Sequence, residues 1–133
     1  MSKTVEFSYE FPMFDQTGLW NKIGSFTDLD WTGDDPWMFS SDGKTRELPE
    51  HGIKETLVAQ DEFAYTYAMV EGPFANFKVT IAAVPNGEVR DDGSGGGSKA
   101  CYTATGDISD EECEMVMQGA LGAFEAFAAQ FPP

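Results

Sequence analysis

The sequence predicts an α+β domain: a curved seven-stranded antiparallel sheet wrapped around a long C-terminal helix, with one or two short helices after the first strand. Three observations carry this. An alternating segment opens the chain, six short apolar runs separated by turn residues fill its middle, and an apolar stripe at helical spacing closes it. The 133 residues (1–133) are the length of one domain, and 41% hydrophobic with 14% aromatic side chains suffices for a buried core.

Each element has its own signal. Val5, Phe7, Tyr9 and Phe11 alternate with Glu6, Ser8 and Glu10, the period of a half-buried strand, and Pro12 ends it. Phe14, Leu19, Trp20, Ile23 and Phe26 fall near helical spacing, so a short helix is expected within Met13–Phe26, interrupted or begun around Gly18. Thr27–Trp31 reads as a second short turn before a loop rich in Gly, Asp and Pro. Strands are then expected over Trp37–Ser40, Lys44–Leu48, Ile53–Ala59, Phe63–Val70, Phe77–Val84 and Lys99–Thr105. Gly, Pro, Asn or Asp punctuates the turns between them. Asp91–Ser98 reads as a flexible connector. Short hairpin connections make the sheet antiparallel.

The last helix is the clearest. Ser109 is a natural N-cap, Glu112 stands three residues on as in a capping box, and acids crowd the positive end of the dipole. Cys113, Val116, Met117, Ala120, Leu121, Phe124, Phe127, Ala128 and Phe131 recur at steps of three and four until Pro132-Pro133. A sheet with one amphipathic helix curls so that the helix packs into its hollow, and a gap at one end would make a ligand-sized cavity.

Charge and motifs exclude several classes. Eight Lys+Arg against 23 Asp+Glu give a net charge of −15, a field that repels nucleic acid and anionic lipid and suits a salty cytoplasm or a cationic partner. No apolar run approaches the ~18 residues of a spanning helix, so no membrane insertion is expected. Met1–Glu6 lacks the features of a secretion signal. Cys101 and Cys113 have no metal or redox spacing and are expected to be reduced, buried and structural in a cytoplasmic protein. No metal and no cofactor are expected. His51 is the single histidine and sits in a polar turn, which gives neither a metal set nor a Ser-His-Asp or Cys-His arrangement. Asp28–Gly33 starts like a calcium loop, but Phe39 stands where the bidentate Glu belongs. Gly93–Ser98 lacks the Lys of a phosphate loop.

Several segments together resemble the SRPBCC (START-like, helix-grip) superfamily, which includes polyketide cyclase/dehydrase-like proteins. Trp20–Phe26 resembles its W-x-x-I/V-x-x-F helix, and Leu29-Asp30-Trp31 loosely matches the L-x-x-W that follows. Gly43–Leu48 resembles G-x-x-R-x-L, and Ile53–Leu57 with Asp61 resembles v-x-E-x-L-x-x-x-D. Tyr65–Pro73 resembles y-x-Y-x-I-v-x-G-P, with Asn76–Thr80 as the strand after it. The chain departs from the pattern at Tyr102, where the last strand usually carries Trp, and in a short Arg46–Glu55 connection.

The resemblance implies a small apolar or aromatic ligand between sheet and helix, in a monomer or homodimer. It points Arg46 and Glu55 toward the pocket, where a carboxylate must be paired, hydrated or protonated. Alternation puts Glu55 with Leu57 on one face, Tyr65, Tyr67 and Met69 on the next strand, and Phe77 and Val79 beyond. With Tyr102, and with Met117, Ala120 and Phe124 of the helix, these are the candidate ligand-binding residues. Glu55 and Arg46 also fit a structural ion pair closing the sheet. Two other functions stay open. One is a polyketide cyclase/dehydratase-like enzyme with Glu55 as candidate acid or base, and the other is a protein–protein module using the acidic face.

Overall fold

The computed structural model describes residues 2–27, 37–49, 52–86 and 97–131. The elements run β1 (Lys3–Phe11), α1 (Gln16–Ile23), β2 (Met38–Phe39), β3 (Thr45–Leu48), β4 (Ile53–Asp61), β5 (Ala64–Glu71), β6 (Ala75–Pro85), β7 (Ser98–Asp107) and α2 (Asp110–Ala128). All seven strands form one antiparallel sheet in the order β1-β7-β6-β5-β4-β3-β2. The expected α+β architecture is therefore present: a seven-stranded curved sheet and a long C-terminal helix.

Local chemistry explains the element ends. Asp15 caps α1, its carboxylate accepting the Gly18 N–H at 2.6 Å, so the helix begins at Gln16 rather than at Gly18. Leu19 and Ile23, four residues apart, are its fully buried face. Gly24 ends it under the Trp20 ring, where a Cβ would collide with ring carbons. Ser109 and Glu112 close a complete capping box on α2. The helix stops at Ala128, three residues before the stripe ends, yet the Phe131 ring still packs on Phe14 and Phe127, with centroids 5.1 and 5.2 Å away.

Three expectations need correction. The strand foreseen over Trp37–Ser40 contains only Met38 and Phe39, which pair with Glu47 and Arg46 of β3. Ser98 is not connector but the first residue of β7, fully buried and registered against Phe11 and Pro85. The two cysteines are free but half-buried, because Cys101 lies on the face of β7 opposite Tyr102 and Cys113 on the flank of α2. The turn expected over Thr27–Trp31 lies, beyond Thr27, outside the described residues, as do the calcium-like segment from Asp28 to Gly33, His51, and the connector before Gly97.

The inner face of the sheet reads directly from the register. Phe7, Tyr102, Ile81 and Tyr65 form one cross-strand row, and Val5, Ala104, Val79 and Tyr67 the next. Register shifts in the β4–β5 ladder leave Val70 and Val58 as extra residues, both exposed. A further shift in β6 puts Asn76 at φ 55°, with its side-chain amide donating to Asp107 at 2.6 Å. Each such bulge adds twist and bend, and the three together let the sheet curl.

Candidate ligand cavity

Between the inner face and α2 lies a cavity of about 380 Å³. Its floor takes Arg46 and Leu48 from β3, Ile53 and Glu55 from β4, Tyr65 and Tyr67 from β5, Phe77 and Ile81 from β6, and Tyr102 from β7. Its roof is the α2 face bearing Met115, Val116, Gly119, Ala120, Ala123 and Phe124, with Trp37 and Phe74 completing the wall. Gly119, Ala120 and Ala123 withhold side-chain volume from the part of the roof between Val116 and Phe124. A Cβ placed on Gly119 would meet nothing within 4 Å.

One end of this space is polar. Arg46 and Glu55 stand directly opposite each other in the β3–β4 register, and Arg46 Nε donates to Glu55 Oε1 at 2.8 Å. Arg46 Nη1 also donates to the Phe26 carbonyl at 3.0 Å. The guanidinium lies 4.2 Å from the Phe26 ring centroid and 4.5 Å from that of Tyr67, with Trp37 at 5.1 Å and Tyr65 at 5.9 Å. Such contacts suit a desolvated Arg. Arg46 and Glu55 are only 3% and 5% exposed. Loss of hydration opposes the Arg46 charge, but the neighbouring Tyr65 and Glu55 groups outweigh it and hold the guanidinium protonated above its ordinary value.

The tyrosines respond to the same surroundings. Burial pushes the phenols of Tyr65 and Tyr102 above their ordinary range and that of Tyr67 well above it, and the Glu55 carboxylate adds to each. The Arg46 charge works against this at Tyr65 and Tyr67. All three are neutral hydroxyls at any ordinary pH. Tyr65 Oη and Trp37 Nε1 are buried, and neither has a hydrogen-bond partner of normal geometry among the described residues.

Of the sequence-derived candidates, Arg46, Glu55, Tyr65, Tyr67, Phe77, Tyr102, Ala120 and Phe124 come together in the cavity wall. Leu57, Met69 and Val79 share the inner face but pack into the core instead: Val79 is fully buried, and the other two are half-buried against it. Met117 is placed elsewhere, on the α2 flank beside Thr4, Glu6 and Cys113. A helix turns about 100° per residue, so a face centred on Val116 and Ala120 leaves Met117 to one side. Sequence reasoning passed over Leu48 and Ile81, which alternation from Arg46 and Val79 would have reached, and Ala123, three residues beyond Ala120. Trp37 carried no signal, since it precedes a two-residue strand. Among the described residues, no group of His, Cys, Asp and Glu could hold a metal ion.

No protein-family model and no curated protein matches this sequence. Solved structures do match its fold. An uncharacterised protein from Bacillus thuringiensis superimposes with TM-score 0.78 at 23% identity, covering 97% of this chain and 98% of that one. The protein XoxI from Bacillus cereus gives 0.76 at 25% identity over 96% and 94%. CalU16 from Micromonospora echinospora gives 0.72 at 10% identity over 96% and 76%. These likenesses show the fold: the chain has the helix-grip fold that its sequence resemblance implies. No helix among the described residues is long and apolar enough to cross a membrane.

Proposed function

We propose that the protein binds a small apolar or aromatic molecule in this cavity, as a carrier or sensor. The observation that supports the reading most is the space itself: about 380 Å³, walled mainly by apolar and aromatic side chains, with its few polar groups gathered at one end. That is the usual make-up of a small-molecule site. Affinity would come from buried apolar area, at roughly 25 cal/mol per Å² before ordering costs. Phe77, Ala120 and Phe124 would supply contact surface, while Arg46, Glu55 and the hydroxyls of Tyr65, Tyr67 and Tyr102 would set orientation. Free cysteines fit a reducing compartment such as the cytoplasm.

Displacement of a hydrophobic fluorescent dye, read beside native mass spectrometry, tests the proposal. Wild type is expected to bind the dye stoichiometrically, and Ala120→Trp, which fills the cavity from its roof, to lose binding while staying folded. Equal dye binding by both proteins would place the dye outside the cavity and sink the proposal. Turnover of a bound ligand that disappears in Glu55→Gln while affinity survives would assign catalysis instead.

A further inference from the structure

The polar end of the cavity is short of acceptors and balanced in charge. Tyr65 is 1% exposed, and Arg46 beside its hydroxyl can only donate, so neither the Tyr65 O–H nor the buried Trp37 indole N–H meets an acceptor among the described residues. Both rings line the cavity and lie within 6 Å of the Arg46 guanidinium, so both donors belong to its polar end. An indole N–H can only donate, and a neutral phenol donates readily. A buried donor left unsatisfied is costly, and an acceptor brought by the ligand removes that cost for each donor it meets. Arg46 and Glu55 are the only charged side chains among the described wall residues, and they neutralise each other. An entering anion would find no uncompensated cation, inside a protein of net charge −15.

Resting on the cavity reading above, we propose that the ligand is an uncharged apolar or aromatic molecule carrying a carbonyl-type acceptor, which it presents to Tyr65 and Trp37. A carboxylate of the same shape is excluded by charge, and a plain hydrocarbon is bound without orientation. The donors act as a filter on oxygen chemistry, while the rest of the wall measures shape.

Three probes of one skeleton test this: 2-acetonaphthone, 2-ethylnaphthalene and 2-naphthoate, titrated at pH 7.5 by calorimetry or tryptophan quenching. The ketone is expected to bind about tenfold or more tighter than the hydrocarbon, the worth of a hydrogen bond to a buried donor. The carboxylate is expected to bind about tenfold or more weaker than the ketone. Tyr65→Phe, which removes only the buried hydroxyl, should shrink the preference for ketone over hydrocarbon several-fold and leave hydrocarbon affinity unchanged. Trp37→Phe should shrink it independently.

Equal affinity for ketone and hydrocarbon, or tightest binding of the carboxylate, would overturn the assignment of ligand class while leaving the cavity reading intact. Binding of none of the three by wild type, with no loss of dye signal in Ala120→Trp, would remove the cavity reading itself and this inference with it.

Discussion

The two ends of the space beneath α2 are made by one helix and filled in opposite ways. At the C-terminal end Phe124 and Phe127 are buried, and with Phe131 they interlock with Phe7, Tyr9, Phe11 and Phe14 at centroid distances of 5.1 to 6.4 Å. At the other end the same face carries Val116, Gly119, Ala120 and Ala123 and stands over open space. Packing at one end holds the helix in place. Side-chain volume withheld at the other leaves room for a guest. Packed core and open space are thus separated along one element, with Phe124 touching both.

The comparison can be broken at either end, and the largest effects belong to the closed end and the buried ion pair. Phe127→Ala is expected to cost about 3–5 kcal/mol, measured by urea unfolding, because the aromatic cluster cannot collapse around the loss. Glu55→Leu should cost a similar ~3–5 kcal/mol by stranding the Arg46 cation, and Arg46→Met/Glu55→Leu should recover most of it. A double variant no more stable than the single would show that the pair contributes more than mutual neutralisation.

Next comes pH. Tyr65, Tyr67 and Tyr102 have phenols raised by burial, whereas in the unfolded chain they ionise near pH ~10. Their contribution to stability is therefore complete below pH ~10 and lost as pH climbs from there through the folded values. The loss approaches ~1.4 kcal/mol per pH unit for each ring. Tyrosinate absorbance from these three should appear together with unfolding; ionisation in the native protein near pH ~10 would contradict their burial.

At the open end the effects on stability are smaller. Ala120→Trp should change unfolding free energy by less than ~1.5 kcal/mol, since it fills space rather than creating it. A larger penalty would mean the roof is already packed. Smallest of all is Ser98→Ala. The Ser98 hydroxyl is buried without a partner among the described residues, so its removal should be neutral or stabilising by under ~1 kcal/mol.

Much of this was legible along the chain. The β1 alternation, the Ser109–Glu112 cap and the α2 stripe are local signals, and they appear where the sequence puts them. The Arg46–Glu55 pairing was readable as one of three options because hairpin partners are close in sequence. Register was not. Val58 and Val70 look like ordinary strand residues, yet each occupies a bulge that resets which neighbours share a face. Met117 sits in the apolar stripe but misses the cavity by one helical step.

The sequence by itself determined the element order, the antiparallel sheet and the amphipathic helix, because period, caps and turn residues act over a few neighbours. Only the tertiary structure decided that Phe11, Phe124 and Phe127 close one end while Gly119 and Ala120 open the other. It also decided that Trp37 and Tyr65 both stand beside Arg46 at the polar end of the wall. Those outcomes depend on side chains distant in sequence meeting across a curved sheet, and curvature is a sum of twists and bulges that no local pattern records.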